Sequence, residues 1–155
     1  MSKNNNLIES TFGGKLRVRV CALIIKDNKL LLVRQKSINH NGYTWMPPGG
    51  GVNFNETIEI ALKREVKEET NLNIHEFDFF SISEYIQMPF HAIEIFYLIK
   101  NTSGVESLGY DPELNINQQI LESIQWFGLE QIKNLEEKEK HSILFDINLL
   151  SELFS

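Results

Sequence analysis

The chain has 155 residues, of which 42% are hydrophobic and 23% are charged, a size and balance typical of one globular domain. The formal net charge of −6 argues against a protein that coats a nucleic-acid polymer, and a single cysteine, Cys21, excludes an intramolecular disulfide. No apolar run approaches the roughly 20 residues that span a bilayer, and the polar N-terminus lacks the apolar core of a signal peptide. We therefore expect a cytoplasmic protein whose partners are neither membranes nor nucleic acids.

The N-terminal part of the sequence predicts a hairpin. Residues 1–14 are expected to form a loose polar arm before a single domain over residues 15–155. Apolar residues that alternate from Leu16 onward predict the first strand. Turn residues 26–29 separate it from a second apolar run, residues 30–33, so the two strands are expected to pair.

The middle of the chain contains the most clearly marked helix. A glycine- and proline-rich stretch over residues 41–51 is expected to be a shaped loop around a short strand. Good helix formers follow from residue 56 to residue 69. Thr57 or Asn55 can cap the start of this helix, and Asn71 lies where a left-handed residue can close its end.

The rest of the sequence mixes strands, a loop and a helix. Strands are predicted over residues 78–86, 92–99 and 123–127, with a long polar loop over residues 101–119. Residues 140–154 are expected to form a C-terminal amphipathic helix. Because strands and helices do not alternate regularly, we predict an α+β domain with a mixed β-sheet between helices.

One stripe of the helix over residues 56–69 changes character along its length. The stripe is apolar in its first half and acidic in its second half, whereas the lysines lie on the opposite face. Glu65, Glu68 and Glu69 are three or four residues apart, so their carboxylates converge and favour a cation between them. Oxygen ligands without His or Cys favour Mg²⁺, or Mn²⁺ in its place, over zinc. The alternative is an ordinary solvated face balanced by Arg64 and the lysines.

Three glycines, Gly49, Gly50 and Gly51, stand shortly before this helix. Glycine lets the backbone approach a ligand or a metal because no Cβ stands in the way. Taken alone, the glycines indicate a tight turn equally well. Together with the acid at Glu56 and the acidic helix in one continuous stretch, they favour a ligand site over packing.

This stretch resembles the signature of the Nudix hydrolase family, G-x5-E-x7-R-E-U-x-E-E-x-G-U, in which U is an aliphatic residue. One position departs from it, because Asn71 stands where the family has glycine, and Asn tolerates a left-handed helix end. Similar segments at residues 30–34, 45–49 and 126–129 extend the resemblance over about residues 15–135. The matching signature residues are Gly50, Glu56, Arg64, Glu65, Val66, Glu68, Glu69 and Leu72.

The resemblance implies an α/β/α sandwich in which the signature binds a divalent metal at a diphosphate. By this resemblance Glu68 and Glu69 would be metal ligands together with the carbonyl of Gly49. Glu65 would be a further ligand or the base that activates water.

The resemblance also implies roles outside the metal ligands. Glu56 and Arg64 would form an ion pair that orients the helix. Glu122 resembles an additional carboxylate that many members supply from outside the signature, as a ligand or a base, although Glu94 competes for this role.

Substrate contacts are less strongly marked in the sequence. Arg17, Arg19 and Arg34 could each reach a substrate phosphate, and the resemblance favours Arg34. Phe54 could stack on a base, as could other aromatic residues in loops, although such residues commonly only cover the core.

The implied function is Mg²⁺-dependent hydrolysis of the diphosphate bond in a small-molecule nucleoside diphosphate derivative. The alternative is a binding module that senses a nucleotide or a nucleotide sugar without turnover, and the complete set of acids argues against it. The substrate stays open among oxidised nucleoside triphosphates, ADP-ribose, nucleotide sugars and dinucleoside polyphosphates. A homodimer is compatible with this interpretation.

Overall fold

The computed structural model describes residues 3–37 and 41–154, which form one mixed sheet with helices on both faces. The strands, in chain order, are β1 (Leu16–Lys26), β2 (Lys29–Lys36), β3 (Tyr43–Met46), β4 (Gly49–Gly51), β5 (Asn73–Gln87), β6 (Phe90–Ser103) and β7 (Leu121–Phe127). The α-helices are α1 (Lys3–Phe12), α2 (Ile58–Thr70), α3 (Leu129–Lys133) and α4 (Ile147–Leu153). Short 3-10 helices cover Ile116–Gln118, Glu137–Glu139 and Ser142–Phe145.

The sheet is mixed, as the sequence predicts. Its main strand order is β3-β2-β1-β6-β5, with β4 paired to β1 and β7 paired to β2. Strands β1 and β6 run parallel, whereas the other pairs run antiparallel. The central strand β1 therefore connects the two halves of the sheet.

Alternating side chains of β1 pack on opposite faces of the sheet. Val20, Ala22 and Ile24 pack in one cluster with the buried residues of α2. Cys21 and Leu23 pack in another cluster with buried residues of α3 and α4. Helices thus cover both faces of the sheet, and the predicted α/β/α sandwich is confirmed.

Both ends of α2 carry the predicted caps. The side chain of Thr57 accepts a hydrogen bond from the backbone N–H of Ile60 at 3.2 Å. At the other end Asn71 adopts a left-handed conformation with φ of 62°, and its N–H donates to the carbonyl of Lys67. The helix therefore begins at Ile58, two residues after the predicted start.

The N-terminal segment is a helix rather than the predicted loose arm. Residues 1 and 2 of that arm lie outside the described residues, and α1 covers the segment that follows. Ile8 is buried in a cluster with Leu114 and Ile120, and Phe12 packs against this cluster. Tertiary contacts therefore favour a helix that the polar composition alone does not indicate.

The prediction of one continuous C-terminal helix over residues 140–154 is wrong, because this segment contains two shorter helices. A 3-10 helix over Ser142–Phe145 comes first, and α4 begins only after Asp146, whose side chain accepts a hydrogen bond from the N–H of Leu149. The break lets Leu144 and Leu150 both reach the core.

The two strands after α2 are longer than predicted, because β5 and β6 extend beyond residues 78–86 and 92–99 at both ends. No helix within the described ranges is long and apolar enough to cross a membrane.

Candidate active site

A cavity of about 470 Å³ lies beside β4 and the C-terminal half of α2. Side chains of α1, β1, β5 and β6 form much of its wall, together with residues from segments 111–120 and 137–142. Small-molecule sites in proteins typically have volumes of about 300–1,000 Å³. The cavity is therefore large enough for a nucleotide-sized ligand.

The acidic end of α2 lines this cavity. Glu65, Glu68 and Glu69 all contribute to the wall, beside the three glycines of β4. A side chain on the middle glycine, Gly50, would collide with the carboxyl group of Glu65. Glycine at this position allows β4 to pair with β1 while the carboxylate lies directly against it.

Arg64 connects the acidic residues to the glycine strand. It donates two hydrogen bonds to the carboxylate of Glu56, at 2.7 and 2.9 Å, and one to the carbonyl of Gly51 at 3.0 Å. Its Nη1 also lies 2.8 Å from Glu65 and 3.3 Å from Glu68. The side-chain hydrogen bonds from Arg64 lower the pKa of Glu56. The ion pair between Glu56 and Arg64, which the resemblance implies, is present.

Burial raises the pKa values of the other three acids. Burial raises the pKa of Glu65 to about 7, although Arg64 opposes this shift. Burial and the nearby Glu65 keep the pKa of Glu69 well above its ordinary value, even though Glu69 accepts a hydrogen bond from the N–H of Gly49 at 3.0 Å. Burial also raises the pKa of Glu68. An added cation would therefore stabilise the ionised carboxylates.

These residues fit a hard divalent ion by charge and by donor type. They offer only oxygen atoms, which Mg²⁺ and Mn²⁺ prefer. Over residues 3–37 and 41–154, no three Asp, Glu, His or Cys side chains are already arranged as the ligands of one metal ion. Arg64 contacts both Glu65 and Glu68, so an ion on these two carboxylates would compete with its Nη1.

The structure does not bring Glu122, Arg34 or Phe54 to the cavity. Arg34 Nε lies 3.1 Å from Glu122 Oε2, because β7 pairs with β2 and the register shifts beside Arg34. The guanidinium of Arg34 lies over the ring of Tyr43, at 4.7 Å. Phe54 is 95% exposed in the loop before α2. In this structure Glu122 and Arg34 pair with each other away from the cavity wall, and Phe54 faces solvent.

Glu94 lies fully buried behind the cavity wall. Arg19 donates to it at 2.9 Å, and Nε2 of His141 lies 3.0 Å away. Burial would raise the pKa of Glu94, but the hydrogen bond from His141 and the charges of His141 and Arg19 lower it overall. The carboxylate of Glu94 is thus paired with Arg19 and His141 and does not line the cavity.

Some residues of the cavity wall could not be predicted from the sequence around them. Tyr85 on β5 and the buried His141 face the cavity, with their rings 6.5 Å apart and nearly parallel. They are 56 positions apart along the chain (141 − 85), so no motif connects them. The sequence does contain one indication of the buried contact between Glu94 and His141, because Glu94 is a glutamate within the otherwise apolar part of β6.

A family model described as NUDIX domain matches residues 15–146. Over 85 residues the chain is 34% identical to the 8-oxo-dGTP diphosphatase of Buchnera aphidicola subsp. Schizaphis graminum, covering 55% of this chain and 64% of that protein. It is 47% identical over 55 residues to the ADP-ribose pyrophosphatase of Methanocaldococcus jannaschii, covering 36% of this chain and 32% of the relative. The matched stretches thus span less than two thirds of either curated relative.

A solved structure is similar over most of the chain. The MutT NUDIX hydrolase from Burkholderia pseudomallei superposes with a TM-score of 0.71 at 25% sequence identity. The superposition covers 87% of this chain and 98% of that protein.

Proposed function

This chain belongs to the Nudix domain family, and we propose that it hydrolyses the diphosphate bond of a nucleoside diphosphate derivative with the help of a divalent metal ion. The observation that carries the proposal is the cluster of Glu65, Glu68 and Glu69 against the glycine strand at the wall of a nucleotide-sized cavity. Burial raises the pKa values of all three acids, so an added cation would stabilise their ionised forms. A solvated helix face would not combine burial, repulsion and a cavity.

The proposed metal is Mg²⁺, with Mn²⁺ as a substitute. Glu65, Glu68 and Glu69 would hold it, together with the carbonyl of Gly49. An ion bound there would neutralise the negative charge of the phosphates and lower the pKa of a coordinated water.

The other steps depend on the protein's own groups. Arg64 fixes α2 against β4 through Glu56 and the carbonyl of Gly51. The N–H of Gly49 orients the carboxylate of Glu69. Glu65, oriented by Nη1 of Arg64, serves as a further ligand or accepts the proton of the attacking water.

The proposed substrate class is the chemical group that is common to the compounds in the relatives' names. One relative is named for 8-oxo-dGTP and another for ADP-ribose, and both compounds contain a phosphoric anhydride bond. We therefore propose the anhydride as the recognised chemistry. The base and sugar are to be identified by a substrate panel.

The test is an assay of that panel in the presence of Mg²⁺. Oxidised and ordinary nucleoside triphosphates, ADP-ribose, nucleotide sugars and dinucleoside polyphosphates are incubated with wild type, and products are separated by chromatography. We expect turnover of at least one compound, and Glu69→Gln should lower its rate by a factor on the order of 100 or more.

Glu59→Gln is the matched control. Glu59 lies on the same helix but pairs with Lys63 in solvent, so its replacement should leave the rate unchanged. Ligand binding without turnover by wild type would favour the sensor alternative. Full activity in Glu69→Gln would show that the catalytic assignment is wrong.

A further inference from the structure

Arg17 on β1 lies at the cavity wall between the N-terminal helix and the glycine strand. Its guanidinium carbon lies 4.4 Å from the centre of the Phe12 ring, in cation–π geometry. On β4, any side chain at Gly51 would collide with Nη2 of Arg17. Helix α1 and strand β4 thus restrict where this guanidinium can lie.

Arg17 differs from the other three arginines of the chain, Arg19, Arg34 and Arg64. Each of those three forms a salt bridge with a glutamate. Within the described residues the guanidinium of Arg17 has no hydrogen bond and no ion pair, and burial together with the charge of Arg19 lowers its pKa. The charges of Glu65, Asp111 and Glu113 oppose this shift, but none of these carboxylates forms a hydrogen bond or an ion pair with the guanidinium. The half-buried guanidinium has therefore lost hydration that no direct polar contact replaces.

The position of Arg17 suits an anion in the cavity. Gly51, against which its guanidinium packs, also carries the carbonyl that Arg64 binds, and Glu65 and Glu68 line the same wall. A diphosphate beside these carboxylates would meet negative charge, so it needs a cationic contact on its other side. The planar fork of an arginine matches two phosphate oxygens.

We propose that Arg17, held by Phe12 of α1 and by Gly51, binds a phosphate group of the diphosphate substrate. This inference rests on the proposed function and adds a substrate-binding residue to that site. It also gives α1 a role in the site, although α1 lies before the residues that the family model matches.

The test measures binding of inorganic pyrophosphate by calorimetry, with Mg²⁺ and without it. Arg17→Gln should raise the dissociation constant about ten- to a hundredfold, the usual effect of losing hydrogen bonds to a charged group. Phe12→Leu, which removes the ring over Arg17, should weaken binding less, and Phe12→Tyr should keep wild-type affinity. Lys15→Gln removes one positive charge at an exposed position just before β1 and should leave binding within about twofold.

Melting temperatures accompany each variant, so that a loss of folding is recognised. If Arg17→Gln unfolds, Arg17→Lys replaces it, and a weaker affinity is again expected because lysine lacks the planar fork. Wild-type affinity in the folded Arg17 variant overturns the inference. An equal loss in Lys15→Gln overturns it as well, because only overall charge would then matter. Absence of pyrophosphate binding by wild type also overturns it.

The outcome is distinguishable from that of the proposed function. Binding of pyrophosphate that depends on Arg17, without turnover of any panel compound, supports the inference and contradicts hydrolysis. Turnover with an unchanged KM and unchanged pyrophosphate affinity in the Arg17 variant supports hydrolysis and contradicts the inference.

Discussion

At the scale of single residues, Arg64 has the largest set of polar contacts near the cavity. It binds Glu56 with two hydrogen bonds, reaches the carbonyl of Gly51, and lies beside Glu65 and Glu68. Its replacement would leave several partly buried oxygens without a donor. Arg64 therefore couples the stability of α2 to the orientation of the acids.

Arg64→Gln should destabilise the protein by about 1–3 kcal/mol and lower the rate, because breaking this partly buried pair leaves the carboxylate of Glu56 without its cation. Thermal unfolding and initial rates provide the measurements. Lys63→Gln, which removes an exposed pair with Glu59, should cost less than about 0.5 kcal/mol. An unchanged melting temperature with only a higher KM would instead make Arg64 a substrate contact.

The raised pKa of Glu65 predicts how the stability of the metal-free protein depends on pH. Its ordinary value is 4.5 and its folded value is about 7, so between these values the folded state binds more protons than the unfolded state. The free energy of unfolding should therefore fall as pH rises from about 4.5 to 7. Chemical denaturation in a chelator, at several pH values, measures the slope.

Glu65→Gln should make this slope shallower, whereas Glu59→Gln should keep it. Glu68 and Glu69 also have raised pKa values and contribute a slope of the same sign, so part of it should remain. Groups with lowered pKa values, such as Glu56 and Glu94, lose their stabilising contribution at lower pH and do not produce the same trend. Identical slopes in wild type and Glu65→Gln would be incompatible with the assigned burial of this carboxylate.

Residues whose partners are close in sequence were predictable, and residues whose partners come from other strands were not. Glu56 and Arg64 pair across eight positions within one motif, and Asn71 takes the left-handed conformation that its place at the helix end indicates. Glu122 and Arg34 are 88 positions apart (122 − 34) and pair only because β7 lies beside β2. Nothing local in the sequence specifies that pairing.

At the scale of elements, α2 was predictable because the residues that form its caps and its buried face all lie in one short stretch of the sequence. Helix α1 was not, because its polar composition contains few apolar side chains and its helix depends on contacts with residues more than 100 positions away. The break between the 3-10 helix Ser142–Phe145 and α4 also depends on packing, since Leu144 and Leu150, one from each segment, are buried in the same core cluster.

The role of α1 can be tested through Ile8, which is only 4% exposed. Ile8→Ala should destabilise the protein by about 2–4 kcal/mol, because it leaves a cavity against Leu114 and Ile120. Hydrogen exchange should also become faster in α1 and in residues 111–120. A cost below about 0.5 kcal/mol would mean that α1 does not belong to the cooperative unit.

At the scale of the whole molecule, the sandwich arranges distant segments around one cavity. The mixed sheet and the helices on both faces were predictable from the order of strands and from the family resemblance. The wall residues Tyr85 and His141 were not, because β5 and the segment that contains His141 meet only in the folded chain. By contrast, Glu65, Glu68 and Glu69, which form the acidic side of the cavity, all lie in one continuous sequence motif.

We propose that the acids at the end of α2 form a divalent-ion site, and melting with and without Mg²⁺ measures the binding of that ion. At about a hundred times its dissociation constant, an ion that binds only the folded state adds about 2.7 kcal/mol of stability, which corresponds to a rise in melting temperature on the order of 5 °C for this chain length. Glu68→Gln and Glu69→Gln should leave the metal-free protein as stable as wild type or slightly more stable, because repulsion is relieved, and both should show a smaller rise with Mg²⁺. Glu59→Gln should keep the full rise. Equal rises in wild type and all three variants would show that these glutamates do not bind the ion and are a solvated face.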